Sequence, residues 1–251
     1  MLAVVLVTGL LGAVVGSFLN VVVHRLPRGE SLAFPGSRCP SCGTAIAPYD
    51  NVPIVSWLLL RGRCRHCKAP VSARYPAIEL LTAVTFALIA ASRGIGSELL
   101  LELPFAAMLI AVAGIDLEHR IVPNRIVVPA AVLALLLAAL LRRGDLLELV
   151  LAGAGAFLFL LIAALAYPAG MGMGDVKLAG VMGVFLGLSI IPALFLAFVL
   201  GSAVGVGMIV AQGPSARKKG VPFAPFLAAG GIIGILVGPE LIGFYADTFL
   251  S

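Results

Sequence analysis

Two aspartates and four cysteines carry most of the chemistry this sequence can do. Asp116 closes the apolar run Leu99–Ile115 and opens the segment Asp116-Leu-Glu-His-Arg-Ile-Val-Pro-Asn124. Asp175 follows Gly170-Met-Gly172-Met-Gly174 and leads into another apolar run. A carboxylate at the centre of a membrane helix costs roughly 2.5–3.5 kcal/mol. In a chain that is 61% hydrophobic and 12% charged, two such groups need a reason to exist. Two carboxyls facing one another can share a proton, which leaves one as general base and the other as general acid. A helix C-terminus disfavours an anion at Asp116, and a helix N-terminus favours one at Asp175. That asymmetry suits a division of labour. Gly172 and Gly174 allow positive φ and close backbone approach ahead of Asp175. Lys177, two residues on, points away from Asp175 on a helix. The plainer account of Asp175 is a helix N-cap, which aspartate fills well. Asp116 has no such plain account.

The cysteines fall in two pairs, Cys39-Pro-Ser-Cys42-Gly43 and Cys64-Arg-His-Cys67-Lys68, with 21 residues between them. This is the spacing of a four-thiolate structural zinc site, each tight turn aiming two sulfurs at one ion. Two disulfides, four free thiols or a redox pair are the competing readings. His66 lies inside the second pair, where a fifth ligand is redundant, and reads as a solvated turn residue. The segment from His24 to Arg74 holds a single tryptophan, Trp57, and few aliphatics, so metal binding would supply most of its folding free energy. Such a module positions something else.

The elements that must position these groups are membrane helices. The mean hydropathy is +1.13 over 251 residues, and about 20 mainly apolar residues cross the hydrocarbon core. The spans expected are Leu2–Val23, Tyr75–Ser92, Leu99–Ile115, Ile126–Leu141, Leu147–Tyr167, Val176–Ile190, Ile191–Ala211 and Phe223–Phe249. The fold class is thus an all-α polytopic membrane protein of about eight helices. Its domains are a first helix (1–23), a loop with the four-cysteine module (24–74) and a membrane core (75–251). The division near Pro192 rests on length alone. No charge precedes the first run, so it lacks the basic start of a secretory signal peptide.

Of the 17 lysines and arginines, all but Arg93, Arg142 and Arg143 fall in or beside the loops 24–74, 116–125, 168–175 and 212–222. The last of these carries Arg217, Lys218 and Lys219. The positive-inside rule makes those loops cytoplasmic and both chain termini external. Both aspartates then stand at the cytoplasmic ends of their helices, and the reducing compartment disfavours disulfides in the cysteine loop. The net charge of +5 reflects topology and anionic lipid headgroups, and nothing points to nucleic acid.

With these residues placed, the chain resembles the type IV prepilin peptidases, a bacterial family of membrane aspartyl proteases. The likeness covers almost the whole length. It rests on Gly16-Ser-Phe-Leu-Asn20 with His24-Arg25-Leu-Pro27, both cysteine pairs, Tyr49-Asp-Asn-Val-Pro53 with Ser56-Trp57, and Arg74-Tyr-Pro-x-x-Glu79. The Asp116 segment, Gly172–Lys177 and Pro222-Phe-Ala-Pro-Phe226 complete it. The resemblance implies that Asp116 and Asp175 activate water to cleave prepilins or pseudopilins after a glycine, at the cytoplasmic face of the bacterial inner membrane. The cut would remove a basic leader just before the substrate's apolar helix.

Members with the cysteine loop also N-methylate the new terminus, which implies S-adenosylmethionine as methyl donor. Glu79 is then a candidate for binding the donor or the free amine. The alternative is a structural ion pair, with Arg25 or Arg74 as partner. Asp50 and Asn51 read as turn residues, and Pro222 and Pro225 as a rigid wall beside the cleft. A presenilin-like protease shares the Gly-x-Gly-Asp element but not the zinc pairs. A proton-coupled transporter would also use paired carboxylates, yet the sequence shows no internal repeat of the transporter kind.

Overall fold

A computed structural model describes residues 1–168, 170–213 and 220–249; Arg217, Lys218 and Lys219 lie outside the described residues. The chain divides into two compact units, Met1–Ile95 and Gly96–Ser251.

The first unit is a helix pair with a loop module between its members. Helix α1 (Leu2–Arg25) ends on His24 and Arg25, and α3 (Arg74–Arg93) runs back beside it. Small residues bring the two backbones together. A Cβ on Gly12 would lie 2.7 Å from the Thr82 carbonyl oxygen, and one on Gly16 would lie 2.7 Å from Glu79 Cα. Close approach of this kind gives membrane helices packing and polar contacts in place of a hydrophobic drive. Asn20 uses it directly, its Nδ2 donating to the carbonyls of Gly16 and Tyr75. By contacts α3 clusters with α1 in this unit. The loop holds one short helix, α2 (Val55–Leu59), whose Trp57 donates its indole N–H to the Val71 carbonyl.

The second unit is a helical bundle: α4 (Leu99–His119), α5 (Asn124–Leu141), α6 (Leu146–Ala166), α7 (Met173–Leu186), α8 (Ile190–Gln212) and α9 (Ala224–Phe249). Its core lies where α4, α7 and α9 meet. Phe105, Leu109, Ile115, Leu178, Met182, Leu227 and Ile235 are fully buried there, and Phe105 stacks on Phe185 at 4.3 Å. Helix α6 closes on α7 through Gly153 and Gly183, where an added Cβ would lie 2.6 Å from the neighbouring helix. Helices α8 and α9 meet at Gly230, which faces the backbone of Ala193.

Among the described residues, seven helical stretches are long and apolar enough to cross a membrane, which makes this a multi-pass membrane protein. One stretch, Met173–Gln212, has 40 residues and breaks inside. The break falls at Gly187–Ser189, just before the expected division between Ile190 and Ile191. Gly187 takes a left-handed φ of 58°, and Glu148 accepts the Leu188 N–H there at 3.3 Å. Pro192 sits in the first turn of α8, where its missing N–H leaves no bond unmade. With 14 residues, α7 is about 21 Å long at 1.5 Å per residue, short of the roughly 30 Å hydrocarbon core. At 23 residues, α8 is long enough alone.

Candidate active site

Asp116 lies in the last turn of α4, where Arg120 closes the helix in a left-handed conformation by donating its N–H to the Asp116 carbonyl. Its side chain is 5% exposed. The carboxylate does not face the negative end of its own helix alone. Its Oδ2 accepts the backbone N–H of Ala224 at 3.1 Å, at the first residue of α9. The N-terminus of α9 has unpaired N–H groups to offer, and they favour a negative charge. The dipole argument from α4 is thereby corrected: the positive end of a second helix meets Asp116.

Asp175 is the third residue of α7, because that helix begins at Met173 and not at Val176. The residue in the N-cap position is Gly172, so aspartate is not the cap. Instead Asp175 Oδ2 accepts the Gly172 N–H at 3.3 Å and the Asp175 N–H donates to the Gly172 carbonyl at 3.1 Å. These two bonds reproduce a capping box with a backbone carbonyl in place of the cap side chain. Asp175 is 8% exposed, and its Oδ1 is buried with no hydrogen-bond partner among the described residues. Helices α4 and α7 touch, and Asp116 lies near enough to act electrostatically on Asp175. The two are 59 residues apart in sequence and stand on helices that touch.

The glycines ahead of Asp175 work differently from the sequence expectation. Neither Gly172 nor Gly174 has a positive φ, and Gly172 is extended at φ −84°. What Gly174 provides is space: an added Cβ would lie 2.6 Å from Val122 Cβ. Val122 belongs to the turn joining α4 to α5, so the absent side chain lets the Asp175 turn sit against the Asp116 turn. Lys177 Nζ donates to Asn124 Oδ1 at 3.1 Å, which ties α7 to the start of α5.

Separately, in the first unit, the four cysteine sulfurs lie within 4.8 Å of one another. Four sulfurs about 2.3 Å from a tetrahedral zinc stand roughly 3.8 Å apart, and Cys39 and Cys67 are 3.7 Å apart. The donor set fits zinc. The two cysteine turns are near copies. Each opens on an isolated bridge (Arg38 with Ala45, Arg63 with Pro70), and each returns a backbone N–H to its first cysteine's carbonyl. Each also puts the residue after its second cysteine at a left-handed φ, Gly43 at 70° and Lys68 at 59°. Thr44, first through its hydroxyl and then through its backbone, lowers the Cys42 thiol to about 6. The Ala69 N–H acts the same way on Cys67, but burial and the neighbouring sulfurs outweigh it and push that thiol up to about 11. Arg65, inside the second turn, grips Asp50 through Nε and Nη2 at 2.6–3.0 Å. Asp50 and Asn51 are turn residues of this module.

Glu79 meets neither arginine offered as its partner. Its Oε2 accepts the backbone N–H of Ile54 at 2.7 Å, and the Ser17 hydroxyl also donates to it. Ile54 is the N-cap of α2 and has φ 63°. The Val55 N–H reaches back to the Pro53 carbonyl at 2.6 Å, so Ile54 centres a γ-turn of the rare, strained hand. A β-branched residue there is an outlier costing about 1–3 kcal/mol, and the buried carboxylate holds it. Sequence reading missed Ser17, Ile54 and Ala224. Two of these three act through backbone N–H groups, which leave no trace in side-chain identity.

A multi-pass helical membrane protein with a buried carboxylate pair at one end of its bundle, and a four-thiolate metal module, is the class these features define. Residues 10–93 match the Bacterial Peptidase A24 N-terminal domain and residues 103–206 match the Type IV leader peptidase family. The chain belongs to the type IV leader peptidase family. It is 35% identical to the prepilin leader peptidase/N-methyltransferase of Aeromonas hydrophila, over 96% of this chain and 93% of that one. It is 37% identical to the protein of the same name from Bacillus subtilis (strain 168), over 96% and 97%. The Pseudomonas aeruginosa PAO1 protein of that name is 33% identical over 97% and 94%. No solved structure matches the chain.

Proposed function

We propose that this chain is a membrane aspartyl endopeptidase that removes the basic leader of prepilins or pseudopilins after a glycine, and that it N-methylates the terminus it creates. The carrying observation is that Asp116 and Asp175 are both buried at the adjoining ends of touching helices, with Asp175 Oδ1 unpartnered among the described residues. That oxygen is the acceptor available to a water. In the proposed cycle one carboxylate takes a proton from the attacking water. The other, protonated, stabilises the carbonyl oxygen and returns a proton to the leaving amine. The Ala224 N–H holds Asp116 in position throughout.

The excess of lysine and arginine in the loops flanking these groups supports an inner-membrane protein with its carboxylates on the cytoplasmic face, where a basic leader stays. Zinc is a structural ion held by Cys39, Cys42, Cys64 and Cys67. S-adenosylmethionine is the proposed methyl donor. Glu79 has its carboxylate taken by Ile54 and Ser17, so we favour for it a tie between helix pair and zinc module over direct contact with donor or amine.

Purified wild type, Asp116→Asn and Asp175→Asn proteins incubated with a purified prepilin test the pair; full processing by either variant removes the assignment. Mass spectrometry of product from Glu79→Ala decides the second point. A cleaved but unmethylated terminus would return Glu79 to the methylation site.

A further inference from the structure

An aromatic run crosses the second unit. Phe159 of α6, Phe198 of α8, Phe223 and Phe226 follow one another with ring centroids 6.2, 5.3 and 6.3 Å apart. Gly201 makes room for the last two rings, since a Cβ there would touch both at 3.3–3.4 Å. One end of the run flanks Ala224, whose N–H holds Asp116. The other end opens into an apolar groove of about 470 Å³ between α6 and α8, lined by Ala152, Gly155, Ala156, Phe159, Phe195 and Phe198 among others.

The groove exists because α6 has two unlike small-residue faces. Gly153 is pressed against α7, whereas a Cβ on Gly155 would meet nothing within 4 Å. Phe195 is 66% exposed and Phe159 56%, so the walls present aromatic rings to whatever lies alongside. The level of the groove is also fixed. Across the α6–α7 contact Gly153 meets Val184 and Phe157 meets Gly180, so Asp175 stands level with about residue 162 of α6, and Phe159 and Ala152 lie roughly 5 and 15 Å deeper at 1.5 Å per residue. A substrate cut at the carboxylate pair, with its apolar helix starting just past the cut, therefore brings residues about 3 to 10 of that helix to this depth.

We propose that the groove between α6 and α8 seats the apolar helix of the substrate over that stretch, with the aromatic run leading from the seat to the carboxylates. The occupant is a helix and not an acyl chain because Phe198 of the groove wall packs on Phe223, beside the Ala224 that holds Asp116, next to where that helix must begin. Helix-in-groove recognition of this kind places side chains at i, i+3, i+4 and i+7, which matches the depth spanned. This rests on the peptidase reading, and its test is separable from it.

The full chain, in membranes, carries a photo-crosslinking residue in place of Phe195 and is irradiated with a prepilin. The expected adduct lies within residues about 3–10 past the cut, by the helix rise used above. Label found only in lipid, or only elsewhere on the substrate, overturns the proposal. Gly155→Trp, which fills open space, is expected to raise KM for full-length prepilin about tenfold, and an unchanged KM overturns it too. Should that variant fail to fold, the crosslink decides. Cleavage by wild type in the same membranes reports on the peptidase reading alone, since the crosslink needs no turnover.

Discussion

Replacing Gly174 by alanine adds one methyl group at the point where the two aspartate-bearing turns touch. The new Cβ would lie 2.6 Å from Val122 Cβ, 3.2 Å from its Cγ2 and 3.5 Å from its Cα. Ordinary contact begins near 3.4 Å, so a gap of about 0.8 Å must open. Val122 has little freedom to give it: Arg120 two residues before is locked in a left-handed helix cap and Pro123 follows. The first turn of α7 must move instead, and it carries Asp175 one residue on. Displacing a catalytic group by about 1 Å costs on the order of 10²-fold in rate, and overpacking costs about 1–3 kcal/mol of stability. Gly172→Ala is the comparison. Its Cβ would meet Asp175 Oδ2 at 3.6 Å, an ordinary contact, on a backbone at φ −84° that alanine adopts freely. Turnover of purified prepilin at saturating substrate should therefore fall about a hundredfold for Gly174→Ala and only a few-fold for Gly172→Ala. Equal losses in the two variants, or full activity in the first, would refute the reasoning that spacing and not backbone freedom is what these glycines supply.

Elemental analysis should find one zinc per chain, and dialysis against a chelator should open residues 24–74 to protease, because structural zinc supplies about 10–16 kcal/mol in comparable small sites; equal protection with and without metal would count against the site. Glu79→Gln keeps an acceptor but removes the charge that holds the strained turn. Trading a charged for a neutral acceptor costs about 1 kcal/mol, so the Ile54 amide should exchange hydrogen roughly fivefold faster. No change at Ile54 would show that the turn is held by something else.

How much of this was legible beforehand depends on what kind of group was being read. The membrane helices announced themselves because lipid demands long apolar runs, and length divided Met173–Gln212 within a few residues of its break. What length could not show is the local cause: Pro192, at the third position of α8, costs nothing, and the break is a left-handed Gly187 beside Glu148. The cysteine turns were legible as metal ligands from spacing. Their likeness to each other was hidden because the second puts Lys68 where the first has Gly43. Asp116 and Asp175 stood out as carboxylates in an apolar chain, but their proximity depends on how α4 and α7 pack. That packing is set by residues such as Gly174 and Val122, whose roles appear only in three dimensions. Ala224 was unreadable, since any residue but proline offers the same N–H; the prolines at 222 and 225 marked the place without revealing the bond.

The two carboxylates are held by means that differ in range. Asp175 is fixed by its own first turn, through a glycine three residues away, so its position travels with α7 alone. Asp116 is fixed by Ala224, 108 residues later, so its position depends on α9 staying docked against α4. An acid placed at the C-terminal end of one helix is tolerated because a second helix begins there, and the two helix ends together make a site that neither makes alone. The pair is consequently as sensitive to the packing of α9 as to either aspartate's own surroundings. The glycines along α9 that let it close on α8 and on Leu109 of α4 then belong to the same argument as the aspartates. They keep the N–H of Ala224 where a carboxylate needs it.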